Sequence, residues 1–134
     1  MPDPLERELI EVLLAEPALV ERARAELDPE EVEHPGLRRM LVGLYDLLAD
    51  GQTPDLDALR VRILDNPRLA AKALELQEVG RMHPDRPGWL AQVLAVFQER
   101  RAKRAKLALQ SQLTAARDDA AAIELLRRLQ GSAL

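Results

Sequence analysis

The chain has 134 residues, of which 47% are hydrophobic and only 2% aromatic, with no cysteine and a formal net charge of −4. That length fits one domain able to bury a real core, and the missing thiols exclude disulfides and thiolate chemistry. No apolar run approaches the roughly eighteen residues of a membrane span. The N-terminal Met1-Pro2-Asp3-Pro4 also lacks the basic start and apolar core of a signal peptide, so a soluble, cytoplasmic protein is expected.

Leu, Ala, Glu and Arg dominate and all favour helix, while β-branched residues never alternate with polar ones over a strand's length. The expected fold class is all-α. The first helix runs from Pro4 to about Glu16, with Asp3 as its cap, Pro4 at its first position, and Leu5, Leu9, Ile10, Leu13 and Leu14 on one face. Pro17 ends it or starts a second helix carrying Leu19, Val20, Ala23 and Leu27. Asp28-Pro29-Glu30-Glu31 reads as a cap, a first-turn proline and two acids at the positive end of a helix of about one turn. That turn breaks near His34-Pro35-Gly36.

The next helix, about 36–49, shows a wide apolar stripe of Leu37, Met40, Leu41, Leu44, Leu47 and Leu48 and stops at Asp50-Gly51. Thr53-Pro54-Asp55 restarts the chain for a helix with Leu56, Leu59, Ile63 and Leu64 on one face. After Asn66-Pro67 a further helix carries Leu69, Ala73, Leu74 and Leu76 and ends near Gly80. These make six body helices, and residues 80–88 are the one clear loop.

Nine prolines and six glycines punctuate the chain, yet none falls between Trp89 and Gln130. A long helix is therefore expected over 89–116, with Leu90, Val93, Leu94 and Phe97 suited to docking on the body. Beyond residue 98 its stripe thins to Ala102, Ala105, Leu109 and Leu113. Arg117-Asp118-Asp119 is the expected turn, capping a last helix with Ala122, Leu125, Leu126 and Leu129 and so closing a helical hairpin. The expected division is a helical bundle over 1–98 and a helical hairpin over 99–134, with helix 89–116 spanning the boundary.

Charge divides at the same place. Residues 1–97 hold eleven Lys/Arg and nineteen Asp/Glu, a net of −8, whereas residues 98–134 hold eight and four, a net of +4. An acidic body argues against a nucleic-acid-binding surface over the whole molecule.

The basic run Arg100, Arg101, Lys103, Arg104 and Lys106 admits three readings: a phosphate-binding helix, a patch for an acidic protein tail, or the solvated face of an exposed helix. Its charges spread around the helix and no aromatic stacking platform lies nearby, so direct nucleic-acid binding is not expected. His34 and His83 each precede a proline and have no paired His or carboxylate spacing, so they read as loop residues and no metal site is expected. Glu30-Glu31 and Asp118-Asp119 sit at expected helix starts, where caps and dipole partners explain them. No phosphate-cradling glycine loop or nucleophile elbow occurs, so neither catalysis nor a cofactor is expected. At the C-terminal end, Ile123, Leu126 and Leu129 exceed what a two-helix hairpin covers. They either fold back on the body or contact another protein.

The order Leu5-Glu-Arg-Glu-Leu-Ile-Glu-Val-Leu-Leu-Ala-Glu-Pro17, Leu27-Asp-Pro-Glu-Glu-Val32, His34-Pro35, Leu44-Tyr-Asp-Leu-Leu-Ala-Asp-Gly51 and Thr53-Pro-Asp55 resembles the C-terminal helicase-binding domain of bacterial DnaG-type primases. The stretch from Glu99 to Gln130, ending Ile123-Glu-Leu-Leu-Arg-Arg-Leu-Gln130, resembles the end of that domain. The resemblance covers nearly the whole chain through helix-and-break patterns. It implies a helical bundle followed by a hairpin that docks on the N-terminal collar of a DnaB-type replicative helicase, as the non-catalytic segment of a larger polymerase. The expected docking residues are Ile123, Leu126, Arg127, Leu129 and Gln130. In some relatives the domain also binds the acidic tail of the single-strand-binding protein, which the basic run would serve. A monomer or weak dimer is expected. The helicase's own N-terminal domain has a similar layout, and it and a helical nucleic-acid-binding regulator are the rival expectations.

Overall fold

The computed structural model describes residues 3–132, apart from the side chains of Leu125 and residues 129–132. Its elements are α1 (Pro4–Ala15), α2 (Val20–Glu26), α3 (Pro35–Ala49), α4 (Leu56–Arg62), α5 (Pro67–Arg81) and α6 (Arg86–Ser132), with 3-10 turns at Pro17–Leu19 and Pro29–Glu31. Among the described residues there is no strand, and the fold is all-α as expected. No described helix is long and apolar enough to cross a membrane.

Local chemistry sets most of the helix starts. Asp3 accepts from the Leu5 amide at 2.9 Å, Asp55 from Ala58 at 2.9 Å and Asn66 from Leu69 at 3.1 Å. Each satisfies an N–H that the first turn of a helix leaves without a partner. Asp28 and Glu31 form a reciprocal capping box around the Pro29–Glu31 turn, Glu31 accepting from the Asp28 amide at 3.0 Å. Gly51, at φ +75°, follows the end of α3 in the left-handed conformation that favours glycine.

The body from the N-terminal region to Phe97 forms one compact unit. Its core draws Leu9, Ile10, Leu13 and Leu14 from α1, Met40, Leu41 and Leu44 from α3, Leu59 and Ile63 from the α4 region, and Leu90 and Phe97 from α6. Tyr45 lies in this core and donates its hydroxyl to the Leu27 carbonyl at 3.0 Å. Burial, and then the charges of Asp28 and Glu31, push its ionisation well above the ordinary tyrosine value. Helices α1 and α5 pair most closely, because a Cβ on Gly80 would lie 1.8 Å from the Glu11 carbonyl oxygen. Gln77 reinforces that pairing by donating to the Leu14 carbonyl at 3.3 Å.

Several expectations are corrected. Helix α5 does end next to Gly80, at Arg81, but that glycine's missing side chain also admits a neighbouring backbone. The expected loop over 80–88 contracts to 82–85, because Asp85 caps α6, accepting from the Gly88 amide at 3.1 Å, and Pro87 fits its first turn. His34 is a cap as well as a loop residue, its Nδ1 accepting from the Leu37 amide at 3.2 Å. Leu64 and Leu74 are exposed at 72% and 45%, Leu64 because α4 ends two residues earlier and no longer fixes its face.

The expected hairpin does not form. Helix α6 runs without interruption through Arg117, Asp118 and Asp119. Two interior aspartates cost a helix only about 0.7 kcal/mol each relative to alanine. They are flanked here by Ala115-Ala116 and Ala120-Ala121-Ala122, the best helix formers, with no glycine or proline to stop propagation. Thr114 even turns its hydroxyl to the Gln110 carbonyl at 3.0 Å, within the helix itself.

Candidate partner-docking surface

The start of α6 is held by packing. Leu90, Val93, Leu94 and Phe97 recur at helical spacing and are at most 5% exposed. Trp89 stacks on His83, ring centroids 4.6 Å apart and 24° from parallel. Arg86 donates to the Arg81 carbonyl at 3.3 Å, and its Nε lies 3.6 Å from the Glu16 carboxylate, an ion pair too long for a hydrogen bond.

From Gln98 a second unit begins, and every described side chain in it is exposed or half-buried. Ile123 and Leu126 are 52% and 59% exposed, and Arg127 is exposed beside them. The side chains of Leu129 and Gln130, expected to belong to the same surface, lie outside the described residues. Ile123 and Arg127, four residues apart, share a face, while Leu126 projects to one side of it.

The basic residues do not converge. Arg100 and Arg104 fall on one side of the helix, Lys103 and Lys106 on another, and Arg101 on a third. Arg100 and Arg101 are half-buried, and Lys103, Arg104 and Lys106 are exposed.

In the sequence an apolar stripe thins toward Leu113 and a separate one begins at Ala122. With α6 unbroken, the first continues through Ala116, Ala120 and Ile123 on the same face. The signal was the alternation of three- and four-residue steps, which carries straight across the supposed turn.

The body has hollows of its own. One, of about 400 Å³ along α1 and α5, is lined by Arg7, Glu8, Glu11, Lys72, Glu75 and His83, with Leu76 and Val79. Glu11 is 2% exposed and accepts from Arg7 at 3.1 Å. Burial raises its pKa above the ordinary carboxylate range, against the pull of the Arg7 charge and hydrogen bond and of His83. Another, of about 350 Å³ between α4 and α5, is apolar, with Ile63, Leu64, Pro67, Ala70 and Leu74 beside Arg60. No group of three or more His, Asp or Glu among the described residues is placed to hold a metal ion.

The buried carboxylate of Glu6 was not foreseen. It accepts from the Glu33 amide at 2.9 Å and the His34 amide at 3.1 Å, tying α1 to the start of α3. Its position on the polar flank of α1 gave no sign of a partner nearly thirty residues away.

No protein-family model matches the chain, and no curated protein or solved structure matches it significantly.

Proposed function

We propose that this chain is a non-catalytic protein–protein interaction module, the segment by which a DnaG-type primase docks on the N-terminal domain of its replicative helicase. The observation that carries this reading is the C-terminal part of α6, a long exposed helix presenting Ile123 and Leu126 to solvent. An amphipathic helix of this kind suits a groove or an incomplete bundle on another protein, which buries its apolar side chains at fixed helical spacing. The helix-and-break order of the body supplies the choice of family. The docking element is then a face of one unbroken helix and not the tip of a hairpin.

The test is a binding titration against the N-terminal domain of the helicase from the same source. Leu126→Asp combined with Leu129→Asp should weaken binding at least tenfold, about 1.4 kcal/mol, while helical content and the unfolding transition of the body stay as they are. Unchanged affinity in that variant overturns the surface.

A further inference from the structure

The face of α6 formed by Ala102, Ala105, Leu109, Leu113, Ala116, Ala120 and Ile123 is separate from Leu126, and its spacing carries information of its own. The steps between these residues are three, four, four, three, four and three, a mean of 3.5. That mean matches the heptad period at which two helices stay in register by supercoiling, with one stutter where two four-residue steps meet at Leu109. At 3.6 residues per turn the seven side chains fall within an arc of about 80°, over a length of about 32 Å. All seven are exposed, the three large ones, Leu109, Leu113 and Ile123, by 52% or more. The pattern has the width of a two-helix seam rather than of a face packed on a globular core.

We infer that this seam pairs with the same seam of a second copy of the chain, the two helices running antiparallel. The sequence order of side-chain sizes fits that direction. With Leu113 near the dyad, Ala102 faces Ile123 and Leu109 faces Ala116, large against small, while Ala105 facing Ala120 leaves one small layer in each half. A parallel pair sets Ile123 against Ile123 and leaves Ala102, Ala105, Ala116 and Ala120 facing one another, with little to fill the gap.

Charge selects the same direction. A parallel pair lays Arg100, Arg101, Lys103, Arg104 and Lys106 alongside their own copies. The antiparallel pair moves that run across from the half carrying Asp118, Asp119 and Glu124. It brings Lys103 within reach of Glu124 and Glu99 within reach of Arg128. One like-charged approach, Lys106 with Arg117, works against it. An alanine-rich seam with few large anchors gives a weak association, with a dissociation constant on the order of 10–100 µM.

Sedimentation of the intact chain from about 5 to 500 µM should show the 15.0 kDa species giving way to one of twice that mass. Leu109→Asp with Leu113→Asp should abolish the shift while circular dichroism stays unchanged. Leu126→Asp, outside the arc, should leave it in place, which separates this pairing from the helicase contact. Because the chain has no cysteine, single thiols report direction. A mixture of Ala105→Cys and Ala120→Cys should be joined by a short bis-maleimide, and Ala105→Cys alone should not. A single 15.0 kDa species throughout, dimer persisting in the double aspartate variant, or Ala105→Cys joining to itself would each overturn the inference.

Discussion

Up to Phe97, helix α6 buries Leu90, Val93, Leu94 and Phe97 almost completely. From Gln98 onward the same helix leaves Leu107, Leu109, Leu113, Ile123 and Leu126 more than half exposed. Nothing in the backbone marks the change, which falls in the middle of an unbroken helix. The two stretches are helical for different reasons. The first is stabilised by tertiary packing of an apolar face, as most helices in proteins are. The second relies on length, alanine content and the absence of breakers. A helix by itself thus says little about whether its apolar residues form a core or wait for a partner.

That contrast can be broken most forcefully at its hinge point. Phe97→Ala should cost about 3–5 kcal/mol of body stability, whereas Leu113→Ala on the same helix should cost less than about 0.5 kcal/mol. Urea unfolding of dilute protein measures both, and similar losses would erase the distinction. Next in size, Gly80→Ala should destabilise the body by about 3 kcal/mol, since a Cβ there meets the Glu11 carbonyl and α1 and α5 must separate. The described side chains beyond residue 98 are exposed or half-buried, so added bulk there meets solvent.

Glu6→Ala should cost about 2 kcal/mol by leaving the Glu33 and His34 amides without their acceptor, and Glu6→Gln should recover part of it. The smallest effect is a slope. The folded pKa of Glu11 lies above its unfolded value of about 4.3. Its favourable contribution is therefore complete below that value and declines as pH rises through the folded one. Glu11→Gln should flatten that part of the stability–pH curve, and Leu113→Ala should leave it untouched.

Much of this was legible in the chain. Asp3-Pro4, Asp28-Pro29 and Asn66-Pro67 announce helix starts because capping and proline preference act within a few residues, and the structure puts a helix or turn start at each. The core face of α1 and the buried turns at the start of α6 follow from spacing alone. The hairpin was misplaced because Asp118-Asp119 is chemically suited to a cap. Whether it caps or rides inside a helix depends on its alanine flanks more than on the pair itself. Gly80 marks the end of α5 to within one residue, but its second role is silent in the sequence: a glycine that stops a helix and one that admits a neighbouring backbone are the same letter. Glu6 gave no signal, since its partners lie on a segment far along the chain.

The docking surface was half legible. Ile123 and Leu126 stood out as apolar residues with too little to cover them. The continuous seam from Ala102 to Ile123 exists only because the helix is unbroken through Asp118 and Asp119.

By itself, then, the sequence determined the all-α class, most of the helix starts and the two unlike halves. These rest on interactions spanning one to four residues and on which residue types are missing. Tertiary structure alone decided that Gly80 joins two helices and that Glu6 binds the start of α3. Each depends on what lies across a gap in space, and contacts between residues distant in the chain leave no periodic trace in it.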